Sequence, residues 1–238
     1  MKMMRAIFLP LIMIMTLSAS TRGSVLLRVY VAGESIERRN SMTEAPFTAT
    51  GTLNDASNND DGQYGWMIPL SDRLTLRNSL LSMQFIGTDP WTDAEDNPYS
   101  GTYPTTTPEN TSAISGSSVD WWLSVRSAEL TSRSYAYDVA FAARGGNDFD
   151  VDDDYYKTNL ITLIGLLVNG SSSQTNPIVY VTGHMPDTQA TGVGTSSPAY
   201  HRYVERTQDA VNEYLVEHPT AHVHFIDMYS PFMTNQPT

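Results

Sequence analysis

The stretch "VYVAGESIERRN", residues 29–40, contains the change of pattern that decides the fold. An apolar, β-branched run stops at Gly33, a carboxylate and a serine follow at once, and a charged, helix-compatible segment begins. This order predicts a buried strand, a sharp turn and the start of a helix. The turn is either an ordinary connection or one that presents the hydroxyl of Ser35 at the end of the strand.

Four further apolar runs repeat this strand pattern along the chain. The predicted strands cover residues 25–32, 82–87, 136–143, 177–183 and 221–228. Helical patterns alternate with them at residues 65–78, 118–130, 153–168 and 199–218. Nearly continuous apolar runs are typical of parallel strands that are covered on both faces. The sequence therefore predicts an α/β fold, a three-layer α/β/α sandwich around a five-stranded parallel sheet.

The composition narrows the classes of function. A chain of 238 residues suits one domain, and a hydrophobic content of 40% with 4 Trp and 13 Tyr suits a sizeable core. The net charge of -12 gives no electrostatic footprint for nucleic acid or for anionic membranes. Cysteine is absent from the sequence, which excludes disulfides and thiolate metal sites.

The first residues predict export. Lys2 and Arg5 precede the apolar run "AIFLPLIMIMTLSAS", which ends in small residues. A positive start, a short apolar core and a small-residue end are typical of a secretory signal peptide. We expect residues 1–23 to be this signal, residues 24–238 to form the domain, and the protein to be secreted or periplasmic. The alternatives are a membrane anchor, for which the apolar core is short, and a buried first strand.

Three motifs stand where predicted strands end or a predicted helix begins. Ser35 follows the first strand, "RGGND" places Asn147 after the third, and "AISGSSVDWWL" places Gly116 before a helix. The carboxyl ends of parallel strands lie at one edge of a sheet, where ligands bind. A hydroxyl, an amide and backbone N–H groups at that edge suit the stabilisation of an oxyanion.

Each motif also has an ordinary structural interpretation. Gly-x-Ser turns are common after strands, and an asparagine can stabilise its own turn through side-chain hydrogen bonds to the backbone. Gly101, in "PYSGTYP", competes with Gly116 for the role of the glycine before the helix. The helical pattern that directly follows Gly116 favours that glycine.

Together the motifs resemble those of the SGNH (GDSL-type) hydrolase family. The resemblance covers the whole chain after residue 23 and includes "FIGTDPW", residues 85–91. It implies a flavodoxin-like sheet and a serine esterase or lipase, in which Ser35 is the nucleophile. Gly116 and Asn147 would complete the oxyanion hole. The family needs no metal or organic cofactor, and its substrates are small-molecule, lipid or glycan esters, including O-acetyl groups on carbohydrates.

The sequence departs from the family pattern in two places. Glu34 stands where the family has an aspartate that is not catalytic. More seriously, the C-terminal D-x-x-H block occurs nowhere in residues 1–238. We expect the catalytic Asp and His beyond Thr238; the alternatives are that another histidine serves or that the protein is inactive. His184, in "TGHMPD" after the fourth strand, is placed to line the substrate pocket or to be a hydrogen-bonded loop residue.

Other classes of function remain open on the sequence. A non-catalytic carbohydrate-binding or adhesion protein would suit the missing histidine and the aromatic residues Trp91, Tyr99 and Tyr103. A nucleotide or phosphate binder is less favoured, because the first turn has one glycine and no lysine. The acidic stretch "NDFDVDDDYY" either binds calcium or places carboxylates before a helix, where the dipole favours them.

Overall fold

The computed structural model describes residues 25–33, 78, 81–90, 110–112, 117–143, 148, 151–173, 175–183 and 198–227. The strands of this part of the chain are β1 Val25–Ala32, β2 Leu81–Ile86, β3 Asp89–Pro90, β4 Asn110–Thr111, β5 Val139–Ala143, β6 Ile178–Thr182 and β7 Val223–Ile226. The helices are α1 Val119–Thr131, α2 Asp153–Asn169 and α3 Pro198–Glu217. None of these helices is both long enough and apolar enough to cross a bilayer.

Five strands form one parallel sheet in the order β2-β1-β5-β6-β7. Counted along the chain, these five strands have the order 2-1-3-4-5, which is the flavodoxin-like order. β1 therefore lies inside the sheet, where Val29 pairs with Phe85 of β2 and with Val139 of β5. The predicted fold class, an α/β fold around a five-stranded parallel sheet, is confirmed.

The three helices pack side by side, α1 on α2 and α2 on α3. They contribute the large buried side chains of one core, with contacts to one face of the sheet. The fully buried members of this core from the helices include Trp122, Tyr156, Leu160, Leu163, Ile164, Leu167 and Tyr203. The sheet contributes alternate residues to the same core, namely Tyr30, Ala32, Ala140, Ala142, Val179 and Val181.

The intervening residues of the strands point to the opposite face of the sheet, and they too are buried. Val29, Val31 and Val139 are at most 2% exposed. The ring of Tyr180 stacks on that of Phe141, with 5.4 Å between the ring centroids, and its centroid lies 5.6 Å from that of His224. These three rings form a row across the neighbouring strands β5, β6 and β7. Burial on both faces explains why these strands read as continuous apolar runs.

A charged pair joins the N-terminal half of β1 to the residue before β5. The guanidinium of Arg28 donates to both carboxylate oxygens of Asp138, at 3.1 and 2.9 Å, and the Arg28 N–H donates at 3.0 Å. The Asp138 N–H in turn donates to the carbonyl of Arg28 at 3.0 Å. This reciprocal bonding fixes the register of the two strands.

The predicted element boundaries differ from the observed ones by at most three residues. The largest shift is in β5, which begins at Val139 where the pattern predicted residue 136. The short antiparallel pair β3 and β4 lies between β2 and α1, where the sequence patterns above predict no strand. The predicted helix at residues 65–78 falls outside the described residues, apart from Asn78, which lies outside any helix or strand.

Candidate active site

The predicted site lies where β1 and β5 end. Ser35, Gly116 and Asn147, and with them Gly101 and His184, fall outside the described residues. Their assignments therefore stay predictions. Each of the three predicted site residues is close in sequence to a described one: Gly33, Ser117 and Asp148 are all buried.

Asp148, the residue after Asn147, connects two of the motifs. Its side chain is 1% exposed, and Oδ1 accepts a hydrogen bond of 3.0 Å from the backbone N–H of Val119. Val119 is the first residue of α1 and stands three residues after Gly116. The turn after β5 is thus bonded directly to the segment that follows Gly116.

The start of α1 explains why a carboxylate binds there. The first N–H groups of a helix have no partner within the helix, and the helix dipole favours negative charge at that end. Ser118 is the N-cap, and its Oγ accepts from the N–H of Trp121 at 3.2 Å. Asp148 satisfies a second N–H, that of Val119, from 29 residues further along the chain. Two N–H groups of the first turn of α1 are therefore capped, one by the neighbouring Ser118 and one by the distant Asp148.

Arg206, in α3, holds the same turn from the other side. Its residue is 7% exposed, and Nη2 donates to the backbone carbonyl of Asp148 at 2.5 Å. Nη1 donates to the carbonyl of Val151 at 2.9 Å and to Oδ1 of Asp153 at 2.8 Å. A single guanidinium therefore fixes three oxygen atoms between the end of β5 and the first turn of α2.

Aromatic rings enclose this guanidinium. The Cζ atom of Arg206 lies 4.3 Å from the ring centre of Tyr156 and 4.8 Å from that of Tyr203. The hydroxyls of Tyr156 and Tyr203 form a hydrogen bond of 2.5 Å, and the Tyr156 hydroxyl forms another, of 3.0 Å, with the hydroxyl of Thr207. Burial raises the pKa of Tyr156, so the phenol stays neutral and presents its ring to the cation.

Asp153 is a carboxylate shared by two arginines of α3. Arg202 Nε donates to Oδ2 at 2.6 Å, and Arg206 binds Oδ1. Desolvation by burial opposes ionisation, but the hydrogen bonds and charges of Arg202 and Arg206 prevail and lower the pKa of Asp153. The first turn of α2 is therefore tied to α3 by an ion pair that is charged at neutral pH.

A second polar network connects Ser112, the residue after β4, to the helix α1. Glu129 Oε2 accepts from the hydroxyls of Tyr30 at 2.9 Å and Ser112 at 2.7 Å, while Arg126 donates to Oε1 at 2.8 Å. Ser112 Oγ also accepts from the N–H of Thr88 at 3.2 Å. Thr88 and Ser112 therefore meet at this point, and Ser112 stands four residues before Gly116 in the sequence.

This network also keeps the buried phenol of Tyr30 protonated. Burial of Tyr30 and the neighbouring charge of Glu129 raise its pKa well above the ordinary value. The phenol is therefore a permanent hydrogen-bond donor to the carboxylate. Trp122 adds a further bond by donating from Nε1 to the carbonyl of Ser112 at 3.0 Å.

Three of the five histidines have described side chains, namely His218, His222 and His224. His218 follows α3, where its ring lies 4.5 Å from that of Tyr214. His224 lies on β7 beside Tyr180, and its pKa is lowered by burial and by His222. His201 lies in α3, but its side chain falls outside the described residues, as does all of His184.

The acidic stretch after β5 has protein partners for several of its carboxylates. Asp152 is the N-cap of α2, accepting from the N–H groups of Asp154 and Tyr155 at 3.1 Å each. Asp148 caps α1 and Asp153 binds arginine, as described above. Among the described residues, no group of three or more His, Asp or Glu side chains is arranged to hold a metal ion.

Sequence patterns missed the two charged residues that organise this region. Arg206 lies on the buried stripe of α3, between the buried residues Tyr203 and Ala210. A basic residue on an apolar face was the available signal. Glu129 carries a weaker signal, because a glutamate near the end of a helix is an ordinary surface residue in most sequences.

Comparisons with known proteins agree on the fold. No protein-family model matches the sequence, and no curated protein matches it. Among solved structures, the chain is similar to a family 3 carbohydrate esterase of Clostridium thermocellum, with a TM-score of 0.53 and 16% identity over 85% of this chain and 78% of that one. It is also similar to Axe2, an acetylxylan esterase from Geobacillus stearothermophilus, with a TM-score of 0.50 and 15% identity over 90% and 82%.

These similarities establish the architecture. The chain shares the α/β fold of these two carbohydrate esterases, and this agrees with the fold that the resemblance of the sequence motifs implies.

Proposed function

We propose that this protein is an exported serine esterase that hydrolyses carboxylic esters, including O-acetyl groups on carbohydrates. The observation that carries the proposal is the bond between Asp148 and Val119 at the carboxyl edge of the sheet. It brings together the segments that follow Gly116 and Asn147, on the fold of two carbohydrate esterases. Acetyl esters of glycans are the substrate class that these similarities favour.

In the proposed mechanism, Ser35 Oγ attacks the ester carbonyl carbon while a histidine removes the hydroxyl proton. The tetrahedral oxyanion accepts hydrogen bonds from the N–H groups of Ser35 and Gly116 and from the side-chain amide of Asn147. The C–O bond to the alcohol then breaks, and the imidazolium returns the proton to the leaving oxygen. Water, activated by the same histidine, attacks the acyl-serine and releases the carboxylic acid.

Substitution of Ser35 tests the assignment of the nucleophile. In the full-length protein, Ser35→Ala is expected to lower kcat for p-nitrophenyl acetate by about 10³-fold or more, because the acyl-enzyme no longer forms. The measurement is the initial rate of nitrophenol release. The protein assayed must contain the predicted catalytic Asp and His, because the D-x-x-H block does not occur in residues 1–238. Equal rates for the two proteins would reject Ser35.

Substitution of Asn147 tests the oxyanion hole separately. Asn147→Ala is expected to lower kcat by about 10²–10³-fold with little change in KM, because the amide acts mainly on the developing charge. The same assay measures it, with Asn110→Ala as a matched control in β4. An unchanged kcat for Asn147→Ala would remove this residue from the oxyanion hole while leaving Ser35 in place.

A non-catalytic carbohydrate-binding protein is the second candidate, and two exposed aromatic residues favour it. Trp121, in the first turn of α1, is 45% exposed, and Tyr155, in the first turn of α2, is 50% exposed. Both helices begin at the edge of the sheet where the site is predicted, and flat aromatic rings suit contact with sugar rings. Binding of xylohexaose without any release of acetate from acetylated xylan would favour this candidate over the esterase.

A further inference from the structure

One buried charge among the described residues has no role in the proposed mechanism. Arg206 is a buried cation between two helices and the turn after β5, and it bonds to backbone carbonyls rather than only to a carboxylate. Removing an ion from water costs free energy that such contacts only partly return, so a buried ion is weak evidence for a stabilising role. A role in fixing the local geometry is the better-supported alternative.

The contacts of Arg206 fall on one short segment of backbone. The carbonyls of Asp148 and Val151 and the carboxylate of Asp153 are its three partners. Two of them are main-chain atoms, so they constrain the path of the chain itself. Asn147 directly precedes this segment in the sequence.

Asp148 extends the constraint to the second motif. Its carboxylate bonds to the N–H of Val119, and its own carbonyl is held by Arg206. Asp148 thus connects the guanidinium of Arg206 to Val119, the first residue of α1, which stands three residues after Gly116 in the sequence. The carboxylate also lies at the positive end of that helix, which strengthens the bond.

We propose that Asp148 and Arg206 are positioning residues that hold the two predicted oxyanion donors, Gly116 and Asn147, at a fixed separation. The inference rests on the proposed esterase function. An oxyanion hole stabilises the transition state only if its donors are already in place, and a misplacement of about 1 Å can cost about 10²-fold in rate. The pair acts through its backbone contacts and does not itself touch the substrate.

A comparison of two arginines of α3 tests the role of Arg206 in the full-length protein. Arg206→Met keeps the length of the side chain but removes the bonds to Asp148 and Val151, and kcat for p-nitrophenyl acetate is expected to fall by about 30-fold or more, with KM within threefold. Arg202→Met is the matched control. Arg202 binds Asp153 and has a side chain that is 67% exposed, so kcat is expected to stay within twofold.

Two substitutions of Asp148 provide a conservative rescue. Asp148→Asn keeps an oxygen that accepts from Val119, whereas Asp148→Ala removes it. We expect Asp148→Ala to lose about 30-fold or more in kcat and Asp148→Asn to recover most of that loss. The affinity for phenylboronic acid, which forms a tetrahedral adduct with a nucleophilic serine, should fall in parallel with kcat. Near-UV circular dichroism identifies any variant that has lost its fold.

The outcomes separate this inference from the function on which it rests. Loss of kcat and of boronate affinity in folded Arg206→Met and Asp148→Ala, with normal KM, supports the positioning role. Unchanged kcat in folded Asp148→Ala, with an active wild type, overturns the positioning role and leaves the esterase function standing. A wild type that hydrolyses no ester overturns both. If Arg206→Met fails to fold, the Asp148 pair decides the question.

Discussion

At the scale of single residues, two glycines in and after α2 show how strongly a position depends on its neighbours. A Cβ atom added to Gly165 would lie 3.6 Å from Cε2 of Tyr214, an ordinary contact. A Cβ atom added to Gly170 would lie 2.5 Å from the carbonyl oxygen of Leu166 and 2.8 Å from Cβ of Leu130. Gly165 has room for a side chain and only lowers the stability of the helix, whereas the close packing around Gly170 leaves no room for a Cβ atom.

The same substitution at these two glycines should therefore have opposite effects on stability. Gly165→Ala is expected to raise the free energy of unfolding by about 0.5–1 kcal/mol, because alanine loses less backbone entropy in a helix. Gly170→Ala is expected to lower it by about 1–3 kcal/mol, because the new methyl group displaces backbone and side chain. Urea denaturation of the two variants measures both. A shift of the same sign in both would contradict this account.

At the scale of helices and strands, the sequence predicted most of the framework. Continuous apolar runs located the five strands of the main sheet, and spacing located α1, α2 and α3, since periodicity reports burial directly. The pair β3 and β4 was missed because two residues per strand are too few for a pattern. Its location depends on the contact between Thr88 and Ser112, which are 24 residues apart.

The site residues named from the sequence stay predictions. Short motifs at strand ends indicated Ser35, Gly116 and Asn147, because their order along the chain carries the resemblance. Arg206 was not indicated, because its partners are carbonyl groups 55 and 58 residues away. Backbone carbonyls are present at every position, so no sequence pattern marks the ones that a guanidinium will bind.

The junction of α2 and α3 should weaken in acid. The pKa of Asp153 is lowered in the folded protein, so its ion pairs stabilise the fold fully above the unfolded value near 3.8 and are lost as the pH falls below it. Asp153→Asn should therefore destabilise the protein at pH 7, and the difference from wild type should shrink towards pH 3. Urea midpoints at several pH values measure this difference. Asp154→Asn serves as a control on the same turn.

At the scale of the whole molecule, the fold explains why residues distant in sequence meet at one edge. Parallel strands end at the same edge, so the carboxyl ends of β1 and β5 are neighbours although Val29 and Val139 are 110 residues apart. The same topology brings α1 and α3 to opposite sides of the turn after β5. A site assembled in this way depends on several elements at once, which matches the dispersed contacts of Asp148 and Arg206.

Export of the molecule can be tested independently of catalysis. When the full-length gene is expressed in a secreting bacterium, the mature protein is expected to begin between residues 20 and 24, as measured by N-terminal sequencing. Replacing Ile12 and Ile14 with arginine should block processing, because the apolar core of the signal is interrupted. Recovery of unprocessed wild-type protein from the membrane fraction would instead indicate an anchor.

The interior position of β1 has a consequence for how the chain acquires its structure during synthesis. Of the strands in the described residues, β1 leaves the ribosome first, yet its partner β5 begins at Val139, 110 residues after Val29. At roughly 5–20 residues per second, translation leaves β1 without this neighbour for about 5–20 s. The pairing of β1 with β5 is therefore settled late in synthesis, after β2, the other partner of β1, has already been made.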